Sequence, residues 1–136
     1  MSRGKVLLTI LLTAAIASTL YFYWSTSRIT PTEYGDITIQ QARDLIQSQP
    51  KLVILDVRTQ QEYDEGHIER AILIPLNDLK VRLGELSMSD DLLIYCRTGN
   101  RSSQAVSILK ANGYTRIFHM KDGITTWIQA GYTVTK

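Results

Sequence analysis

The sequence predicts an α/β domain built on a mostly parallel sheet. Short apolar runs of strand length alternate along the chain with segments of helical periodicity, and the runs are continuously apolar. Strands of that kind are buried on both faces, which requires helices above and below the sheet. The composition agrees, because 44% hydrophobic and 21% charged residues in a chain of 136 is an ordinary balance for one globular domain.

Two capping boxes mark the first helices of this domain. Residues 38–41 read Thr-Ile-Gln-Gln and residues 59–62 read Thr-Gln-Gln-Glu. In each, the threonine and the residue three positions later can satisfy each other's backbone amides. Helices are therefore predicted to begin near residues 39 and 60, with a strand over the apolar run 52–55 between them.

Further strands and helices follow in the same alternation. Pro75 ends the first of three more apolar runs, and each run is followed by residues at helical spacing. The predicted strands are residues 72–74, 92–95 and 116–120, and the predicted core positions of the helices are Leu76, Leu79, Leu83, Leu86, Ala105, Ile108, Leu109, Ile124, Trp127 and Ile128. Gly113 and Gly131 lie where the last two helices would end, as C-terminal caps.

The one cysteine lies where a predicted strand turns into a predicted helix. Loop amides, the first turn of a helix and nearby arginines all favour negative charge, so the thiol pKa should fall below its usual value of about 8.5. A buried cysteine is often only a small apolar filler, but packing alone does not require a glycine-containing loop with two arginines. We interpret the cysteine as an activated nucleophile. The segment reads Cys96, Arg97, Thr98, Gly99, Asn100, Arg101 and Ser102.

This segment resembles the active-site loop of rhodanese-type sulfurtransferases. Two other blocks resemble the same family in the same order, over about residues 33–136. Upstream are Leu55-Asp56-Val57-Arg58, Glu62-Tyr63, Gly66-His67-Ile68, Ala71 and Ile74-Pro75, and downstream are Gly123, Trp127 and Gly131. The resemblance implies a rhodanese-like three-layer domain, whose central, mostly parallel sheet is flanked by helices.

Three positions depart from the family pattern. Arg70 lies where a glycine is common, Leu73 where an asparagine is common, and Asp122 where the first of two glycines is common. Position 70 matters most, because glycine there would permit a positive φ that arginine adopts only at a cost. We expect a local change in that turn and the same fold.

The resemblance also implies a reaction without cofactor or metal. The Cys96 thiolate would attack the outer sulfur of thiosulfate or another sulfane-sulfur donor and pass the sulfur from a persulfide to a thiol or cyanide acceptor. The reaction needs a lowered thiol pKa and an anion cradle, supplied by loop residues 97–102, rather than a general base. Arg97 would face the incoming anion, Thr98 would hydrogen-bond the persulfide, and Arg101 would brace the loop.

Three residues outside the loop are supporting candidates. Arg58 follows a predicted strand and should lie at the same sheet edge as Cys96, within reach of the loop. The alternative for Arg58 is a structural ion pair, and this is the interpretation we favour for Asp56. His67 is interpreted as a hydrogen-bonded structural histidine rather than a catalytic base.

Two rival functions differ in chemistry. Cysteine phosphatases bind an oxyanion in a loop of the form C-x5-R, but the arginine here is at 101 and position 102 is serine, so the loop is one residue too short. The second rival is a non-turnover module that carries sulfur or senses redox state for a partner protein, which the sequence does not identify. An intact cysteine is compatible with both transfer and carriage.

The charge distribution and the few potential metal-ligating residues argue against nucleic-acid-binding and metal-binding functions. The net charge is +2, but three of the fifteen basic residues lie in or beside the N-terminal segment, which leaves twelve basic and thirteen acidic residues in the remainder. No basic face for nucleic acid is indicated. A single cysteine excludes a zinc site built on paired cysteines, and His67 and His119 are too few and too separated for a metal cluster.

Residues 6–24 carry no charged side chain and predict a membrane-spanning helix. Such a helix would be about 28 Å long, close to the hydrocarbon thickness of a bilayer, and its aromatic end at 21–24 is typical of a membrane interface. The alternative is a cleavable signal peptide, because Ala15-Ile16-Ala17 offers a small-residue cleavage pattern. The chain would then be an exported soluble protein.

Flanking charge predicts the orientation of this anchor. Arg3, Lys5 and the α-amino group precede it, whereas only Arg28 follows, so the N-terminus should stay in the cytoplasm with the domain outside. The predicted organisation is an anchor with its flanks over 1–28, a linker over 29–36 and the rhodanese-like domain over 37–136.

Overall fold

A five-stranded parallel sheet organises the part of the chain, residues 33–136, that this computed structural model describes. The strands are β1 (Gly35–Ile37), β2 (Val53–Asp56), β3 (Ile72–Leu73), β4 (Leu92–Tyr95) and β5 (Ile117–Met120). Their order is β1-β5-β4-β2-β3, and each neighbouring pair is parallel. The predicted α/β architecture with a mostly parallel sheet is confirmed.

Helices cover both faces of this sheet. They are α1 (Ile39–Ser48), α2 (Gln60–Glu65), α3 (Leu79–Arg82), α4 (Asn100–Ala111) and α5 (Gly123–Gln129), with a 3₁₀ turn over Leu83–Glu85. Side chains of the central strand β4 alternate between two apolar clusters. Leu93 and Tyr95 pack with α1 and α5, whereas Leu92, Ile94 and Cys96 pack with α3 and α4. The cysteine therefore lies on the α4 face.

Both capping boxes form as predicted. The hydroxyl of Thr38 accepts a bond from the Gln41 backbone N–H at 3.3 Å, and the Gln41 side chain accepts one from the Thr38 N–H at 2.9 Å. Thr59 and Glu62 make the same reciprocal pair at the start of α2. Each helix thus begins with two of its otherwise unpaired amides satisfied.

The leucine stripe after Pro75 is shorter as a helix than its spacing predicts. Leu79 and Leu86 are buried, but α3 has only 4 residues and the chain continues as the 3₁₀ turn. Gly84 lies in that turn, and glycine is a poor helix former because it loses the most backbone freedom on folding.

The prediction that Ile128 is a core residue is wrong. Ile124 and Trp127 are buried in α5, whereas Ile128 is 50% exposed. Successive helical residues are about 100° apart, so a narrow buried face can hold the first two and leave the third toward solvent. The two predicted glycine caps do follow α4 and α5, with left-handed φ values of 90° at Gly113 and 78° at Gly131.

Arg70 keeps the positive φ that a glycine would permit, so the change expected in this turn does not occur at that residue. Its φ is 68°, and it is the only non-glycine residue with positive φ between residues 33 and 136. Its guanidinium donates to the carbonyl oxygens of Pro50 at 2.9 Å and Ile46 at 3.1 Å. The Ile46 carbonyl lies in the last turn of α1, where carbonyls lack helical partners and a cation is favourable. These bonds stabilise a backbone conformation that is unfavourable for arginine.

The predicted membrane segment, residues 6–24, lies outside the described residues. From residue 33 onward, no helix combines the length and apolarity needed to cross a bilayer. Strand β1 begins at Gly35, so the sheet includes residues that the predicted domain organisation places in the linker.

Two substitutions at position 70 separate backbone strain from side-chain bonding. Arg70→Ala loses the guanidinium bonds and keeps the strained φ, whereas Arg70→Gly loses the bonds and relieves the strain. We expect the free energy of unfolding of Arg70→Ala to be about 1 kcal/mol below that of Arg70→Gly. Urea unfolding monitored by circular dichroism measures the difference, and a glycine variant less stable than the alanine variant would contradict it.

Candidate active site

The loop that carries Cys96 connects β4 to α4 and is held from behind by α5. The amide of Ile124 donates to the Cys96 carbonyl oxygen at 2.9 Å, and the amide of Thr125 donates to the Arg97 carbonyl oxygen at 3.1 Å. Two backbone amides in the first turn of α5, which have no partner within the helix, thereby donate to loop carbonyls. Because these carbonyls point toward α5, the loop amides are free to face the sulfur.

Two glycines allow this close approach. Gly99 has a φ of 98°, and a Cβ added there would collide with the carbonyl oxygen of Lys121. Gly123 has a φ of 69°, and its Cβ would collide with the carbonyl group of Arg97. Both positions combine a left-handed backbone with no room for a side chain, so only glycine fits.

The Cys96 sulfur lies in a nest of donors. The residue is 1% exposed, and Sγ accepts bonds from the Gly99 backbone amide at 3.1 Å and the Ser102 hydroxyl at 3.4 Å. Burial raises the pKa of this thiol, but hydrogen bonds from Ser102 and from the amides of Thr98 and Gly99 outweigh burial and lower the pKa below its usual value. Arg101 also contributes, because its charge interacts favourably with the thiolate form of Cys96.

Arg101 braces the loop. Its guanidinium makes a bidentate ion pair with Glu62, with both nitrogen–oxygen distances at 2.7 Å. That contact, with help from Thr59, lowers the pKa of Glu62 to about 2 against the opposing effect of burial. The loop is thus tied to the first turn of α2.

The other loop residues lie at the mouth of the site. Arg97, Thr98 and Asn100 are exposed, and the Asn100 side chain accepts a bond from Gln104 at 2.9 Å. Across the part of the chain that the structure describes, Arg97 makes no ion pair. Its charge is therefore available to an incoming anion.

The three supporting candidates make their polar contacts outside the cysteine loop. Arg58 forms a buried ion pair with Asp56, with a shortest distance of 2.6 Å, and it also donates to the Gly66 carbonyl at 2.8 Å. Nothing among residues 33–136 links the Arg58 side chain to the cysteine loop. The His67 ring stacks on Tyr63 with centroids 3.6 Å apart, and its Nδ1 lies 3.0 Å from the Tyr63 carbonyl oxygen. These contacts agree with the structural interpretations of Asp56 and His67.

Two residues to which the sequence pattern assigns no role, His119 and Asp36, extend a line of polar contacts from Ser102. His119 Nε2 is 2.8 Å from the Ser102 hydroxyl, and His119 Nδ1 is 2.8 Å from a carboxylate oxygen of Asp36. A histidine inside an apolar strand is unusual, because buried polar groups need partners. That signal was present in the sequence. Its partner was not predictable, since Asp36 is 83 residues away.

Known proteins with similar sequences contain rhodanese-like domains or transfer or carry sulfur by name. The model of the Rhodanese-like domain family matches residues 38–130. The putative sulfur carrier protein YrkF of Bacillus subtilis is 32% identical over 92 residues, which is 68% of this chain and 50% of that protein. A sulfurtransferase of Allochromatium vinosum is 34% identical over 83 residues, covering 61% of this chain and 78% of that protein.

A solved structure agrees with the fold. The rhodanese-related protein from Thermoplasma volcanium aligns with a TM-score of 0.64 at 31% identity, over 76% of this chain and 97% of that one. The present chain therefore spans nearly all of that solved chain, but only half of the length of YrkF.

The Arg101–Glu62 ion pair predicts a pH-dependent contribution to stability. The pKa of Glu62 is lowered from 4.5 to about 2, so the stabilisation is present above pH 4.5 and is lost as the pH falls toward 2. Glu62→Gln keeps an acceptor for the capping box but removes the charge. At pH 7 we expect a loss on the order of 2 kcal/mol, reduced because the pair is partly exposed.

Urea unfolding at pH 7, 4 and 3 measures this contribution. The difference between wild type and Glu62→Gln should shrink as the pH falls, whereas Glu69→Gln, an exposed carboxylate nearby in sequence, should behave like wild type. A difference that stays constant from pH 7 to pH 3 would show that the ion pair is not its source.

Proposed function

The chain belongs to the rhodanese-like domain family, and from that premise we propose that it is a sulfurtransferase acting through a persulfide on Cys96. The sulfur would come from thiosulfate or a persulfide donor and pass to a thiol or cyanide acceptor. The single observation that carries the proposal is the Cys96 sulfur itself, buried in a six-residue loop and bonded by the Gly99 amide and the Ser102 hydroxyl. The resemblance to a sulfurtransferase of Allochromatium vinosum supports it.

The proposed reaction has two displacements at sulfur. In the first, the Cys96 thiolate bonds to the outer sulfur of thiosulfate, the sulfur–sulfur bond breaks, and its electron pair leaves with sulfite. In the second, cyanide or a thiolate attacks the outer sulfur of the persulfide and the Cys96 thiolate leaves. Charge and atoms balance in each step without an oxidant. A lowered pKa favours both steps, because the same thiolate is nucleophile and leaving group.

The loop supplies what these steps require. Sulfite and thiosulfate are anions, and Arg97 presents an exposed cation at the mouth of the site. The Thr98 residue is also exposed at the mouth, and its hydroxyl would bond the outer persulfide sulfur. Amides that already bond the thiolate would stabilise the negative charge that returns to Cys96 in the second step.

A sulfur carrier without turnover is the second candidate. It is favoured by the similarity to a protein named as a putative sulfur carrier in Bacillus subtilis. A carrier would form the same persulfide and release it only to a partner protein. The two functions differ in turnover with a small acceptor and share the persulfide.

We also propose that residues 6–24 anchor the protein in the cytoplasmic membrane with the domain outside. The proposal is supported by the uncharged length of that segment and the excess of positive charge before it. A membrane location would restrict sulfur donors and acceptors to those that reach the outer face.

Substitution of the cysteine tests the transfer reaction. The full chain in detergent should release sulfite from thiosulfate and form thiocyanate when cyanide is supplied, and mass spectrometry should find one added sulfur atom on Cys96. Cys96→Ser should abolish both, since serine cannot form a persulfide, whereas Ser103→Ala, at an exposed position of α4, should retain both. Persulfide without turnover would favour the carrier, and the absence of both would reject sulfur transfer.

A reporter fusion tests the topology. Alkaline phosphatase folds into its active form outside the cytoplasm, so a fusion joined after Arg28 should be active. The same fusion lacking residues 6–24 should be inactive and serves as the control. An inactive fusion that retains residues 6–24 and reaches the membrane would overturn the extracytoplasmic assignment.

A further inference from the structure

We propose that Ser102, His119 and Asp36 form a proton relay that converts Cys96 to its thiolate. The inference rests on the proposed function only in taking Cys96 as the nucleophile. It assigns a role to two residues outside the loop, His119 on β5 and Asp36 on β1. Ser102 contacts the reacting sulfur, whereas His119 and Asp36 act through it as positioning residues.

The four groups form one continuous line of hydrogen bonds. The distances are 3.4 Å from Cys96 Sγ to Ser102 Oγ, 2.8 Å from Ser102 Oγ to His119 Nε2, and 2.8 Å from His119 Nδ1 to Asp36 Oδ1. Ser102 is fully buried and His119 is 6% exposed, but the Asp36 side chain is 64% exposed. The line therefore runs from a buried sulfur to solvent.

Chemistry assigns the proton on one end of His119. A carboxylate only accepts hydrogen bonds, so Nδ1 carries a proton and donates a hydrogen bond to Asp36. The protonation of His119 is then decided at Nε2, the nitrogen that faces Ser102. When Nε2 is protonated, Asp36 is the negative partner of the resulting imidazolium, at 2.8 Å from Nδ1.

The Ser102 hydroxyl has one proton and three neighbours. They are the Cys96 sulfur, the His119 Nε2 and the Gly99 carbonyl oxygen, which lies 3.0 Å away and only accepts. If Nε2 is unprotonated and Cys96 is a thiolate, all three neighbours are acceptors and compete for the one hydroxyl proton. If Nε2 is protonated it donates to the hydroxyl oxygen, and the hydroxyl is free to donate to the thiolate. Protonated His119 and ionised Cys96 therefore belong together.

The opposite state is also self-consistent. A neutral Cys96 donates its S–H to the serine oxygen while the serine hydroxyl donates to bare Nε2. The two states interconvert when the thiol proton moves to the serine oxygen and the serine proton moves to Nε2. The S–H and O–H bonds break, a new O–H and an N–H bond form, and the products are a thiolate and an imidazolium. No other reactant is needed.

The charges around His119 favour the ionised state. Strand β1 contributes Asp36, which is the register partner of His119. On the other side, strand β4 contributes Ile94, which carries no charge. The loop and α4 contribute the Cys96 thiol through Ser102, and Arg101 interacts favourably with the thiolate form of Cys96. An imidazolium at His119 thus faces two anions.

The pH profile of Cys96 alkylation tests the relay on the full chain in detergent. Iodoacetamide reacts with thiolate, so its rate reports ionisation without requiring sulfur transfer. His119→Gln can hydrogen-bond Ser102 but cannot carry the proton. We expect it to raise the pKa of Cys96 by about one unit, with a rate about tenfold lower at pH 6 and unchanged well above the pKa. Asp36→Asn should cause a smaller shift, and Ser103→Ala none.

A second measurement does not depend on variants of His119. Because coupling is reciprocal, loss of the thiolate should make His119 harder to protonate. NMR titration of the His119 ring in Cys96→Ser should therefore give a lower midpoint than in wild type. Superimposable alkylation profiles for wild type and His119→Gln, or an unchanged midpoint of His119 in Cys96→Ser, would overturn the relay. A protein that fails to transfer sulfur can still pass both tests, so the two proposals fail separately.

Discussion

Hydrogen bonds from the start of α5 to the back of the cysteine loop are the contacts on which the site depends. A peptide unit presents its N–H and C=O on opposite sides, so carbonyls held by Ile124 and Thr125 leave loop amides facing the sulfur. The arrangement brings two backbones close enough that Gly99 and Gly123 have no room for a Cβ. These contacts therefore explain the two glycines, the pairing of the first amides of α5 and the contribution of the Thr98 amide to the lowered pKa of the thiol.

Local features were readable from the sequence because their causes are local. The capping boxes at Thr38 and Thr59 join residues three positions apart, and the strand at 92–95 is one unbroken apolar run. Arg70 was readable for the same reason, since a positive φ is a property of its own turn. The loop around Cys96 was identified by its composition and length, which a single segment carries.

Features that join distant segments were not readable. The contact between Asp36 and His119 requires β1 to pair with β5. The sequences of these two strands do not indicate that they are neighbours in the sheet. The role of Arg101 likewise depends on the position of Glu62, 39 residues earlier. The resemblance implied that Arg101 braces the loop, but not that Glu62 is the residue with which it pairs. The prediction that Ile128 is a core residue was wrong for a different reason. The short helix α5 buries a narrower face than the spacing of its apolar residues suggests.

Glu62 serves two elements at once, and this limits how the chain can change. One carboxylate oxygen accepts from the Thr59 amide and hydroxyl at the start of α2, and the same oxygen belongs to the pair with Arg101. Exchanging the charges at 62 and 101 would restore an ion pair but leave α2 without its acceptor. Substitutions at these positions are therefore expected to be non-additive, and homologous sequences should vary there jointly or not at all.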